Sequence, residues 1–298
     1  MLEGVVATAR SVKPAQPIET LWAAARHQLN QRLGTVAEPI TSSVRLQDVV
    51  LPDDLVEGMV EILDYARHQQ TVFEQWGFGS RINYGRGLSV LFSGPPGTGK
   101  TLMAGILARE LGRELFRIDL SRVVDKFIGE TEKNLSRVFD EAERAQTVLL
   151  FDEADSLFAK RTAVSSSNDR YANLEVNYLL QRMEDFSGVS ILTTNFESSL
   201  DEAFKRRLRF TIKFRMPDAE ERVLIWQALI PAPARPRLAH DIDWPALALR
   251  FEMSGGYIKN AVIRAAINAA RSGGTITMQH LVDAATRVYQ EMGKVVAY

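Results

Sequence analysis

The octapeptide Gly94-Pro95-Pro96-Gly97-Thr98-Gly99-Lys100-Thr101 sets a lysine and a hydroxyl directly behind three glycines, just after the apolar run Leu88-Ser89-Val90-Leu91-Phe92. Glycines let consecutive backbone N–H groups turn inward around anionic oxygens, and a helix starting at the lysine adds its positive end. In a loop spelled G-x-x-x-x-G-K-[ST], the lysine reaches β- and γ-phosphates and the hydroxyl binds Mg2+. Lys100 and Thr101 therefore read as phosphate and metal ligands. Gly94 to Leu102 reads as the binding loop of a nucleoside triphosphate.

Downstream, Val148-Leu149-Leu150-Phe151-Asp152-Glu153 is a buried-strand pattern ending in two carboxylates. Behind a phosphate loop, Asp152 would hold Mg2+ and Glu153 would polarise the attacking water. Asp155 reads as a cap or loop residue. The run Ile191-Leu192-Thr193-Thr194 ends at Asn195, placed to meet either the γ-phosphate or the water, where strand carboxyl ends converge on ligands. Lys205-Arg206-Arg207-Leu208-Arg209 is either a solvated basic helix end or a set of guanidinium groups aimed at phosphate.

These residues need a scaffold, and the chain supplies one. Apolar runs at Val90–Phe92, Leu115–Ile118, Val148–Phe151, Val189–Leu192 and Phe210–Phe214 alternate with helical periodicity, predicting an α/β fold with a mostly parallel sheet flanked by helices. A helix is expected from Asp54 to about Gln70, on Leu55, Met59, Ile62, Leu63 and Ala66. Another is expected from Pro17 to Gly34. After Pro217 the strand patterns stop, and four helices are expected near 218–229, 243–250, 254–271 and 277–290, around a Pro-rich break at 231–236. The expected division is an N-terminal helical extension (1–44), an α/β domain (45–216) and a small all-α lid (217–298).

The 298 residues are 46% hydrophobic, ample for a core, and 36 basic residues nearly cancel 37 acidic ones. No overall field attracts nucleic acid or an anionic membrane. With no cysteine, and with His27, His68, His240 and His280 lacking zinc-site spacing, neither thiolate chemistry nor a zinc centre is expected. No apolar run reaches the ~18 residues of a membrane span, and a cytoplasmic location is expected.

Taken in order, these elements resemble the AAA+ ATPases, specifically the classical AAA clade, over about residues 45 to 290. Gly94–Thr101 stands as Walker A, Leu149–Glu153 as Walker B, Asn195 as sensor 1 and Asp201–Phe210 as the second region of homology. The resemblance implies ATP and Mg2+ as cofactors and a homo-hexameric ring with sites at subunit interfaces. It also implies catalytic roles for Lys100, Glu153 and Asn195, with Arg206 and Arg209 as arginine fingers; Arg207-Leu208 stands where relatives carry Pro-Gly. It further implies adenine contacts from Asp48 and Val49, and nucleotide contacts from Gly256 and from Lys259 as a sensor 2 residue, the latter being equally readable as a solvated helix lysine. In Lys126-Phe127-Ile128-Gly129-Glu130, it makes Phe127, Ile128 and Gly129 a pore loop gripping a polypeptide substrate.

A finer likeness rests on Trp76-Gly77-Phe78-Gly79, Asn168–Asn173, Tyr178–Glu184 and Arg206–Phe210. These segments look like those of bacterial AAA+ ATPases encoded with contractile phage-tail-like injection systems, which makes such particles expected partners. The expected function is ATP-driven protein remodelling through a central pore. The alternatives are a nucleotide-gated assembly factor and a nucleic-acid motor or loader, the last disfavoured by the neutral charge.

Overall fold

In the computed structural model, which describes residues 37–81, 87–120, 130–155, 167–196 and 205–294, the apolar runs become strands. They are β1 (Ala37–Ile40), β2 (Leu88–Ser93), β3 (Leu115–Ile118), β4 (Val148–Phe151), β5 (Val189–Thr194) and β6 (Phe210–Lys213). They lie side by side in the order β1-β3-β4-β5-β2-β6. Only β1 runs antiparallel to its neighbour.

Every residue of β2, β4 and β5 is buried, as expected for parallel strands covered on both faces. Alternate residues feed two cores. Leu149 and Phe151 pack with α3 (Glu130–Ala145) and α4 (Ser167–Asp185), whereas Val148 and Leu150 pack with α1 (Asp53–Gln70) and α2 (Lys100–Glu110). Phe139 stands at the centre of the first core, with ring centroids 5.6 Å from Phe151 and 5.3 Å from Phe186.

Register decides where the loops emerge. Phe151 lies opposite Leu192 and Ser93 opposite Thr194, so the chain leaves β4, β5 and β2 at the same sheet end. Asp152, Asn195 and Gly94 are the first residues beyond those strands.

Two local features differ from the sequence reading, at β1 and at the end of α1. Residues 37–40 fall within the expected N-terminal extension, but they form an edge strand of the sheet and pair Ala37 with Ile118 and Ile40 with Leu115. An edge position tolerates Pro39, which lacks an N–H to share. Strand β5 extends through Thr193 and Thr194 up to Asn195, as the sequence predicts, and both threonines are buried because their hydroxyls find carboxylate partners. Helix α1 continues into a π-helical turn at Thr71–Gln75, leaving Trp76 and Phe78 exposed. The helix expected from Pro17 to Gly34 lies outside the described residues.

After β6 come α5 (Ala219–Ala228), α6 (Trp244–Arg250), α7 (Gly255–Arg271) and α8 (Met278–Glu291). They share a separate core of Trp226, Leu247, Phe251, Ile258, Ala265, Leu281 and Val288. The Pro-rich break forms a 3-10 helix at Ala232–Arg237. Asp218 and Glu221 cap α5 reciprocally, while Asp243 caps α6 and Thr277 caps α8. The link into α5 is braced by Arg222, whose buried guanidinium donates to Ala248 O at 2.9 Å and Pro217 O at 2.6 Å. Among the described residues, no helix is long and apolar enough to cross a membrane.

Candidate functional site

Gly94, Gly97 and Gly99 have φ of 139°, 74° and 102°, angles an L side chain strains to adopt. The loop they permit runs from β2 into α2, with Gly99 as the residue before the helix. Space is also short: a Cβ on Gly94 would lie 2.1 Å from the Phe214 carbonyl oxygen. The Thr98 hydroxyl donates to Pro95 O at 2.8 Å and braces the turn.

Lys100 is buried at the first turn of α2. Its ammonium donates to Gly94 O at 2.6 Å, Pro95 O at 2.9 Å and Asn195 Oδ1 at 2.9 Å. Burial lowers its pKa, and the carboxylates of Asp155, Asp152 and Glu153 offset part of that shift. The next residue, Thr101, donates its hydroxyl to Asp152, 3.0 Å from Oδ1 and 3.2 Å from Oδ2. A hydroxyl and a carboxylate this close form a pair of hard oxygen donors, which suits Mg2+.

Beyond β4 the chain turns sharply, and Glu153 takes φ of 51°. Two hydrogen bonds from β5 hold that conformation: Glu153 N–H donates to Thr193 Oγ1 at 2.8 Å, and Ala154 N–H to Thr193 O at 3.0 Å. The same Thr193 hydroxyl donates to Asp152 Oδ1 at 2.7 Å. Glu153 itself is exposed, so its carboxylate faces solvent beside the phosphate loop.

Asp155 does more than cap a loop. Its Oδ1 accepts from Asn195 N–H at 3.0 Å and from the Thr194 hydroxyl, and its Oδ2 accepts from Asn195 Nδ2 at 2.9 Å. The structure thus joins Lys100, Thr101, Asp152, Asn195 and, unforeseen, Thr193 and Asp155. Thr193 and Asp155 carry no sequence signal by themselves, because their partners lie some 40 residues away. The adjacency of β4 and β5 brings them together.

The arginines separate. Arg209 lies over the Tyr65 ring, 4.8 Å from its centroid, and its backbone N–H donates to Ser89 O at 3.0 Å. Arg207 Nε is 3.8 Å from Glu184 Oε1. Arg206 is exposed at the turn before β6. Gly256, at the start of α7, donates its N–H to Gly97 O at 2.9 Å, whereas Lys259 sits exposed further along the helix. Asp48 closes a 3-10 turn, Leu46–Asp48, and Val49 packs with the α1/α2 core. Leu102 is partly exposed on α2. Phe127, Ile128 and Gly129, and residues 201–204 ahead of the arginines, lie outside the described residues.

Comparison with known proteins gives the family of the segment that carries this loop. A family model, the "ATPase family associated with various cellular activities (AAA)", matches residues 90–218. The chain is 34% identical over 254 residues to "ATP-dependent zinc metalloprotease FtsH 3" of Symbiobacterium thermophilum, covering 82% of this chain and 39% of that protein. It is 34% identical over 214 residues to "Proteasome-activating nucleotidase" of Aeropyrum pernix, covering 69% and 52%. It is also 41% identical over 132 residues to "Uncharacterized AAA family ATPase y4kL" of Sinorhizobium fredii, covering 44% and 39%. The chain therefore spans between 39% and 52% of the length of these relatives. Residues 90–218 of this chain, with a phosphate loop at one end of a largely parallel sheet, are an AAA ATPase domain that binds ATP with Mg2+.

Proposed function

We propose that this ATPase works as a homo-hexamer that remodels or unfolds polypeptides, with ATP held between one subunit's loop residues and the next subunit's arginine. The observation that carries the reading is the convergence of Lys100, Thr101, Asp152 and Asn195 at the ends of three adjacent strands. Lys100 holds the β- and γ-phosphates, exchanging its carbonyl partners for phosphate oxygens. Thr101 and Asp152 would hold Mg2+, which would supply neutralising charge to the phosphates. Glu153 orients and polarises the water that attacks the γ-phosphorus as the bond to the bridging oxygen breaks. Arg206, exposed at the turn before β6, reaches across the interface at the position the resemblance gives an arginine finger.

Within this reading, residues 45–216 form the motor domain and 217–298 a lid whose Gly256 touches the phosphate loop. Asp48 and Val49 flank the adenine, and Phe127, Ile128 and Gly129 grip the polypeptide. The likeness to ATPases encoded with contractile injection systems makes components of such particles the first polypeptides to assay.

The test is ATPase rate per subunit against protein concentration, for wild type and Arg206→Ala. A steep rise that Arg206→Ala abolishes supports shared interface sites. A flat, arginine-independent rate overturns the ring. Stimulation by DNA and by no polypeptide would favour a nucleic-acid motor instead.

A further inference from the structure

Asn195 stands between two groups of opposite hydrogen-bonding character. An ammonium can only donate and a carboxylate can only accept. Lys100 Nζ lies 2.9 Å from Asn195 Oδ1 on one side, and Asp155 Oδ2 lies 2.9 Å from Asn195 Nδ2 on the other. The two partners therefore fix which end of the amide faces the phosphate loop, the question that hydrogen-bond networks must settle for any asparagine. Asp155 has no freedom to release the amide, since the Asn195 backbone N–H, 3.0 Å from Oδ1 and 3.3 Å from Oδ2, and the Thr194 hydroxyl hold its carboxylate in place.

We infer that Asp155 is a positioning residue that locks Asn195 with its carbonyl oxygen toward the phosphate loop, so that the sensor acts as a hydrogen-bond acceptor for the Lys100 ammonium or the attacking water. This rests on the ATP-hydrolysis reading above and chooses between the γ-phosphate and the water, the two contacts the sequence leaves open for Asn195. An amide oxygen repels a phosphate oxygen, whereas it can accept from an ammonium or from a water whose other proton faces Glu153. Asn195 therefore contributes by aligning donors around the γ-phosphate and makes no direct hydrogen bond to it. Asp155 acts only through Asn195 and touches no reacting atom.

Swapping the polarity of the pair tests this. Asn195→Asp alone sets two carboxylates against each other, and Asp155→Asn alone gives the Asn195 amide a partner that can donate as well as accept. Each single variant should lose at least tenfold in kcat, with the ATP dissociation constant changed less than threefold. In the double variant Asp155→Asn/Asn195→Asp, the new amide can keep its oxygen toward Thr194 and the Asn195 position's N–H while donating its NH2 to the new carboxylate. An acceptor then faces Lys100 again, and kcat should recover at least fivefold over Asn195→Asp.

A readout independent of turnover is the side-chain amide of Asn195 in the 15N NMR spectrum. Its protons should exchange slowly in wild type and lose that protection in Asp155→Ala. A double variant no faster than Asn195→Asp, with ATP affinity intact, would mean that the sensor needs a donor and would overturn the inference. An unprotected amide in wild type would do the same. Protection retained in a wild-type protein that hydrolyses no ATP would instead remove the hydrolysis reading and leave the lock standing.

Discussion

Thr193 donates its hydroxyl to Asp152 Oδ1 at 2.7 Å while accepting the Glu153 N–H at 2.8 Å, so a single buried oxygen on β5 ties together both acids that follow β4. Thr193→Val keeps the shape and removes the hydroxyl. A half-buried N–H loses its acceptor and a carboxylate loses a donor, which costs up to about 1–3 kcal/mol. The expected outcome is a lower urea midpoint and a kcat reduced more than ATP affinity, because the positive φ of Glu153 loses its tether. Unchanged stability would show that a water replaces the hydroxyl.

Arg206 and Arg209 should behave differently despite their proximity. Arg206→Ala is expected to lower the interface-dependent ATPase by about 10³-fold, the low end for a transition-state arginine. Arg209 lies over Tyr65 on α1, so Arg209→Ala should cost about 0.5–1 kcal/mol of stability and far less turnover. Burial raises the Tyr65 pKa and the Arg209 charge offsets part of that; ultraviolet titration of Arg209→Ala should therefore show Tyr65 ionising at still higher pH. Equal losses of turnover in both variants would place both arginines at the neighbour's nucleotide.

The contact between the phosphate loop and α7 leaves no space for side chains. A Cβ on Gly97 would lie 2.5 Å from Ser254 Oγ, and one on Gly256 would lie 3.1 Å from Gly97 Cα. Gly97→Ala also places an L residue at positive φ, a further cost of about 1–2 kcal/mol. Gly97→Ala should accordingly weaken ATP binding and speed hydrogen exchange at residues 256–258, more than Gly256→Ala does. The reverse order would mean that the backbone angle matters less than the contact.

Two arginines near the link into α5 give opposite expectations. Arg215 pairs with Glu221 at 2.6 Å, but both ends reach solvent, and such pairs contribute about 0–1 kcal/mol. Arg222 is buried and serves Pro217 O and Ala248 O, so Arg222→Met deprives one buried and one half-buried carbonyl of their donor, at about 1–3 kcal/mol for the buried one. Calorimetry of the two variants should show the larger drop in Tm for Arg222→Met. Parity between them would indicate that solvent reaches the link.

Residues that act through neighbours in the chain were legible in the sequence, and residues that act across the sheet were not. Gly94 to Thr101 announces itself because three glycines, a lysine and a hydroxyl must be consecutive to surround a phosphate. The acids at 152 and 153 announce themselves because an apolar strand runs into them. Asp155 reads as an ordinary cap until β4 is set beside β5 and its oxygens meet Asn195. The Arg209 contact with Tyr65 spans even more chain. Ala37–Ile40 stayed hidden because Pro39 argues against a strand, and only an edge position accommodates it.

The four C-terminal helices meet the phosphate loop in two unequal ways. One is the covalent strap from Phe214 to Pro217, which Arg222 stiffens and whose first carbonyl presses on Gly94. The other is the hydrogen bond from Gly256 N–H to Gly97 O, beside the Ser254 side chain. Mechanically this is a door with a stiff hinge and a light catch. Releasing the catch costs one backbone hydrogen bond, about 0.5–1.5 kcal/mol net. Hinge and catch thus bear on one short stretch of loop, with only Pro95 and Pro96 between the glycines they meet.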